Sequence, residues 1–445
     1  MAKINVVSKL RSVCEDAEET FSRTYCGNGL VKEQKNVTKE VDYFGGYFTR
    51  ESKDNGKTWS EWETHFSDDN GDVRHGKLEN SPEGDELLTF DVTTFPYGVR
   101  PTLYDPKSGC TVGAGGNWYY LNGHDKGYFA WWEKGEDNVR PHAYFMIRYP
   151  DGREVRRLIE LEEGGADFDP ENPRNPAYVD KNRISAGNMR LLPDGDIAFE
   201  LYPNMRLCCE MAGVDVNTFF PSCPETQQGW VFVRGHWNAE KQDYDFTYSN
   251  PVMLSDLQSS RGIMEPLMAD IAGGRKLLVF RGSNMQLDVW KTRISPAAPG
   301  FKWYTYSDDG GRTFVPPMPW HFDTREVVYS PASMSTFFRS KKNGKLYWIG
   351  NIVDPWLIDG NQPRYPLQIC EVDEEHGYLI KDTLTVIETI RDGQTSIELS
   401  NFVLAENPET LELELRITKC NFDGKCQEEG YWYSEAWEYY ISFEE

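Results

Sequence analysis

The chain has 445 residues, and its 71 acidic against 47 basic side chains give a formal net charge of −24. That balance excludes the broad basic face that nucleic acid requires, and an anionic ligand would need its arginines gathered in one pocket. No apolar run reaches the length of about 18 residues that a membrane-spanning helix needs, so no membrane partner is expected.

Aromatic residues make up 14% of the chain, with 24 Tyr and 14 Trp, a composition that favours strands. The opening residues lack the apolar core and small-residue cleavage site of a signal peptide. The nine cysteines form no regular framework. Together these features lead us to expect a reducing, cytoplasmic setting, with a secreted form trimmed of its leader as the alternative. Cys420 and Cys426 flank a turn and could close a hairpin. No CxxC or His/Cys spacing suggests zinc, and no cofactor is expected.

Near the N-terminus, "CEDAEETFSRTY" is the best helical stretch, and residues 1–24 read as a segment preceding a single domain over 25–445. "SKDNGKTW" (Ser52–Trp59) and "SDDGGRTF" (Ser307–Phe314) repeat the pattern Ser-x-Asp-x-Gly-x-Thr-aromatic. Gly56 and Gly311 permit a sharp reversal, and Asp54 and Asp309 can accept hydrogen bonds from the turn's own N–H groups. Ser52, Thr58, Ser307 and Thr313 belong to the same device, and Trp59 and Phe314 plug the space between strands. The stretch 162–183, rich in Pro, Asp and Asn, reads as a long loop.

Four segments share one form, a Gly-containing turn followed by an apolar strand: "LLPDGDIAFELY", "IAGGRKLLVFRG", "KKNGKLYWIGN" and, more weakly, "NFDGKCQEEGYWY". The turns of the first three fall near residues 194, 273 and 343, so the period is about 70–79 residues. That is a generous four-stranded propeller blade. At about 74 residues per blade the 445 residues make six blades; seven blades of about 64 residues are the alternative. The predicted fold is an all-β, six-bladed β-propeller.

The two octapeptides resemble the Asp-box of sialidases and related propellers. The likeness extends over roughly 255–375. "SRGIMEPLMADIAGGRKLLVFRGSN" is similar to a sialidase segment in which a glutamate opens one strand and an arginine closes the next. The resemblance implies that Glu265 assists the reaction and that Arg281 grips a substrate carboxylate, with Arg364 in "NQPRYPLQICEVD" as a second carboxylate ligand. Arg261 and Arg100 are weaker candidates. The chain also departs from the pattern. Where a sialidase carries its catalytic tyrosine, "IELSNFVLAEN" places Leu399 before Ser400, and leucine cannot be a nucleophile.

Guanidinium meets a sugar carboxylate with two parallel hydrogen bonds, which is why arginine beside apolar strand residues points to an acidic ligand. An inter-blade ion pair is the competing reading. Two histidines lie on strand-like segments two residues after an arginine: Arg140–His142, followed by Tyr144, and Arg234–His236. Residues two apart on a strand share a face. A base beside a carboxylate-neutralising arginine is what β-elimination of a uronic acid requires. A hydrogen-bonded strand residue is the plainer reading of either histidine. For hydrolysis Asp91, Glu200 and Asp270 are among many possible carboxylates.

The sequence therefore leads to an expected sialidase-like glycosidase, probing an acidic glycoside from its end. A propeller lyase and a non-catalytic glycan-binding propeller are the alternatives.

Overall fold

The computed structural model describes residues 4–38, 46–66, 102–120, 139–166, 175–285, 298–420 and 432–444, with 287–289, 292–294 and 422. Arg100, Asp91 and Cys426 lie outside the described residues.

Six antiparallel sheets of four principal strands follow one another along the chain, each a simple meander. The first comprises Glu18–Gly27, Leu30–Thr38, Gly46–Ser52 and Glu63–Phe66. The second comprises Leu103–Tyr104, Thr111–Tyr120, Val139–Arg148 and Glu154–Leu158. The third comprises Ile184–Leu191, Ile197–Pro203, Val231–Asn238 and Asp243–Tyr248. The fourth comprises Met264–Asp270, Lys276–Arg281, Lys302–Ser307 and Met318–Pro319. The fifth comprises Thr336–Arg339, Leu346–Asn351, Leu367–Asp373 and Tyr378–Leu379, with Thr385–Glu388 also pairing to its third strand. The sixth takes Val403–Glu406, Leu413–Lys419 and Ser434–Phe443 from the C-terminus. Its outermost strand is Ile4–Cys14 from the N-terminus, paired from Ile4↔Phe443 to Cys14↔Ser434. The chain is a six-bladed β-propeller, and the N-terminal strand closes the ring.

One expectation is thereby corrected. The stretch Cys14–Tyr25 is not a helix, because Cys14 ends a strand paired to Ser434–Phe443 and Glu18–Tyr25 lie in a strand paired to Leu30–Thr38. Of the expected N-terminal segment 1–24, Ile4–Cys14 forms a strand of blade six and Glu18 opens the first strand of blade one. The first three turn–strand repeats are the first hairpin and second strand of blades three, four and five, and most of the fourth lies outside the described residues.

Neighbouring blades join through apolar layers. Phe145, Phe199 and Val233 fill the seam between blades two and three, and Trp230, Phe280 and Phe314 the next. Trp320 and Trp348 fill the seam of blades four and five, and Ile349, Leu415 and Tyr439 that of five and six. The closing seam, between blades six and one, carries charge instead. Glu33, with a fully buried side chain, accepts from Arg11 (2.7 and 2.8 Å), Arg23 (3.0 Å) and Arg50 (2.7 Å). Arg23 also reaches Glu414 at 3.1 Å, and Arg11 reaches Glu438 at 3.0 Å.

The octapeptide turns join the third and fourth strands of blades one and four. Asp54 accepts from the Thr58 N–H (2.8 Å) and hydroxyl (2.6 Å) and from the Ser52 hydroxyl (2.8 Å). Asp309 repeats the pattern with Thr313 (2.9 and 2.6 Å) and Ser307 (2.7 Å). These donors hold the Asp54 carboxyl down at about 2. Gly311 has φ +91°, and a Cβ there would sit 2.6 Å from the Phe232 ring, so the position needs glycine. Phe314 packs edge-on against Trp230, with ring centroids 5.0 Å apart, whereas Trp59 is half-exposed beneath the Arg50 guanidinium.

Candidate functional site

In a meandering blade the start of the first strand, the end of the second and the start of the third lie at one end of the channel. We call this the upper end. By this geometry Glu265, Arg281, Lys302 and the 352–366 connection lie at the upper end, and both octapeptide turns at the lower. A cavity of about 830 Å³ occupies the upper channel, walled by the innermost strands of blades three to six.

An insertion between the second and third strands of blade three completes one wall. Its helix, Met205–Ala212, starts where the Asn204 side chain accepts from the Leu207 N–H (3.0 Å) and stops at Gly213 in the left-handed conformation. The segment returning from it brings Glu225 and Gln227 to the cavity. Glu225 accepts from Asn204 at 2.6 Å and from Arg206 at 2.8 Å, and stands 3.8 Å from Arg183. Gln227 is 4% exposed, with its side chain beside the Cys223 thiol.

Beside this segment, to which it is joined by the Gln228↔Gly262 bridge, Arg261 is buried and donates to the Asn361 side chain at 3.1 Å. Glu265 sits at a register shift in the first strand of blade four, with φ +46°. A non-glycine residue in that region is strained, and a bulge of this kind re-aims a side chain. The Glu265 carboxylate is 42% exposed and lines the cavity.

Arg281 pairs with Glu265 at 3.0 Å and donates to the Ala332 carbonyl at 2.6 Å. Arg364 donates to Ser400 (3.0 Å) and Glu398 (3.3 Å). Neither arginine is on the cavity wall, and each already meets a carboxylate of the chain. The two do belong to one charged group, for both act on Lys302. This lysine is fully buried and donates to the Ser333 carbonyl at 2.6 Å. Burial and the Arg281 and Arg364 charges draw its ammonium down to about 7, against the opposing pull of Glu265. Leu399 is fully buried, and its N–H donates to the Arg364 carbonyl at 2.9 Å.

The two histidine groups are placed elsewhere. Arg140, His142 and Tyr144 do share a face, but it packs on the short helix Pro176–Val179 and the residue after it. His142 stacks on Tyr178 with ring centroids 4.6 Å apart, Tyr144 meets the Tyr178 hydroxyl at 2.7 Å, and Arg140 pairs with Asp180 at 2.9 Å. Burial draws the His142 imidazole down to about 3, so it stays neutral and shielded. Arg234 and His236 lie toward the lower end. Arg234 is tied to Asp194 (2.5 Å) and to the Gly310 carbonyl (3.0 Å), and His236 meets Asp196 at 2.9 Å. Neither is placed at the upper cavity, because their partners are turns at the opposite end of the blades.

Four wall or near-wall groups escape a reading of the sequence alone: Arg183, Gln227, Lys302 and Tyr202. The Tyr202 hydroxyl donates to the buried Glu200 at 2.8 Å, and Glu200 also holds Asn188 and Arg190. Burial and that carboxylate push the phenol far above its ordinary range. Of these four, Lys302 alone leaves a sequence signal: a lysine set against the strand aromatics of "FKWYTY".

No family model matches the sequence, and no curated protein matches it either. Among solved structures, the chain is similar to a protein of unknown function from Dyadobacter fermentans, at 14% identity and TM-score 0.48, covering 99% of each chain. It is similar to a sialidase from Streptococcus pneumoniae at 11% identity and TM-score 0.45, covering 97% of this chain and 70% of that one. It is also similar to an α-L-arabinofuranosidase from Fusarium graminearum at 10% identity and TM-score 0.43, covering 96% and 98%.

Proposed function

We propose that the chain is a carbohydrate-active enzyme, a glycosidase that takes an acidic glycoside in the upper cavity. The observation that carries this reading is Glu265. A strained, bulge-borne carboxylate stands on the wall of a large cavity, held from behind by a buried arginine. Strain of this kind persists where the surroundings enforce it, and it concentrates at functional sites. A carboxylate so placed can hold or deliver a proton at a glycosidic oxygen.

The substrate's own carboxylate is assigned to Arg261, the buried guanidinium on the wall beside Glu265, with Arg183 of the neighbouring blade three. Arg281 then acts one step back, fixing the Glu265 rotamer, and Arg364 anchors the 398–400 segment. Elimination chemistry finds no support in His142 or Tyr144, whose packing keeps them from the cavity.

The test is turnover of a panel of aryl sialosides and glucuronides beside the matching neutral glycosides. The wild type should release free acidic sugar. Arg261→Ala should lower kcat/KM on the acidic members by on the order of a hundredfold and leave neutral ones alone. Glu265→Gln should lower kcat. Wild-type turnover by Arg261→Ala removes this carboxylate assignment. Binding of the panel without turnover makes the protein a glycan-binding propeller, and an unsaturated product makes it a lyase.

A further inference from the structure

We infer that the lower half of the cavity is a subsite for an apolar aglycone, so that the glycoside taken here carries an alkyl or aryl group running down the channel from a sugar held at the mouth. The inference rests on the reading above for the sugar; its apolar part stands on separate observations.

The cavity changes character with depth. At its mouth stand Arg261, Glu265 and Gln227. Further down the innermost strands the wall becomes Leu267 of blade four, Phe338 of blade five and Leu404 of blade six. All three are only partly buried, so apolar surface faces the channel from three blades at once. A patch of this kind inside a concavity marks a binding surface.

A second sugar would be poorly served at that depth. Its hydroxyls need partners, and these three side chains offer none. The amide nitrogen of Asn188, also on the wall, is already committed to Glu200 at 2.9 Å. At about 830 Å³, within the range of sites for drug-sized ligands, the cavity has room for a sugar and an appended chain.

Calorimetric titration with three probes below their micellar concentrations tests this: octyl glucuronide, methyl glucuronide and octyl glucoside. Each methylene taken from water is worth about fourfold in affinity, so burying part of the chain should make octyl glucuronide on the order of a hundredfold tighter than methyl glucuronide, its short-chain counterpart. Leu404→Asn and, separately, Leu267→Asn should shrink that advantage to less than about tenfold while leaving methyl glucuronide binding unchanged. Two variants on different blades guard against one failing to fold. Equal affinities for octyl and methyl glucuronide overturn the inference and leave the acidic-glycoside reading standing. Octyl glucoside binding as tightly as octyl glucuronide supports the apolar subsite and overturns the acidic reading. No binding by either octyl probe overturns the inference.

Discussion

Replacing Glu33 with glutamine tests how the ring is closed. The Glu33 side chain is fully buried and faces three guanidiniums, those of Arg11, Arg23 and Arg50. Although burial alone would raise its pKa, these charges draw the carboxyl from 4.5 to about 2. At about 1.4 kcal/mol per pKa unit that displacement corresponds to about 3 kcal/mol, in the range found when one partner of a buried ion pair is removed. A chain of 445 residues has an unfolding entropy on the order of 0.9 kcal/mol/K, so Glu33→Gln should lower Tm by about 3 °C if unfolding is cooperative. Differential scanning calorimetry at neutral pH measures it. The exposed Lys32–Glu51 pair, 3.3 Å apart on the same blade, is the control, and Lys32→Gln should shift Tm by less than about 0.5 °C. A depressed carboxylate contributes stability above its unfolded pKa and loses it as pH falls through its folded value. The wild type should therefore lose this contribution between about pH 4.5 and 2, and the variant should lack that component of the slope. An unchanged Tm for Glu33→Gln would refute the view that this network holds blade six to blade one.

Three other outcomes are expected. Asp309→Ala removes an acceptor shared by two backbone N–H groups and two hydroxyls. It should lower Tm by about 1–2 °C without altering kcat/KM, since the turn lies at the far end of the channel. Lys302→Met should stabilise the protein at neutral pH. The lysine's folded pKa of about 7 lies below its ordinary 10.5, so native stability rises as pH climbs from 7 toward 10.5, and denaturant titrations should find that rise missing in the variant. His142→Leu should flatten the loss of stability between pH 6.5 and about 3. There the unfolded chain takes up a proton that the buried native imidazole refuses, and acid titrations followed by circular dichroism measure the difference.

The parts of the fold legible in the sequence are those specified by neighbouring residues. Asp194–Gly195, Gly273–Gly274 and Asn343–Gly344 each dictate a reversal through their own backbone preferences, and Gly195, Gly273, Gly274 and Gly344 all adopt positive φ. The octapeptide turns are local in the same sense, because every donor to Asp54 lies within four residues of it. The N-terminal strand was not legible. Its partner lies more than 400 residues away, and nothing near Ile4–Cys14 in the sequence announces the strand Ser434–Phe443 that it pairs with.

The site divides along the same line. Strand periodicity correctly groups Arg140, His142 and Tyr144 on one face, but whether that face meets a cavity or a helix depends on Tyr178, supplied by the connection to the next blade. Arginine chemistry marks Arg234, Arg261, Arg281 and Arg364 alike as groups that need an anion. Which anion each receives is decided by segments remote in sequence: Asp194 and the Gly310 carbonyl for Arg234, Glu265 for Arg281, Glu398 for Arg364. Arg261 is the one of the four on the cavity wall, where it also donates to the Asn361 side chain. A charged side chain announces that it must be neutralised, and only the folded ring shows whether the protein or a ligand does it.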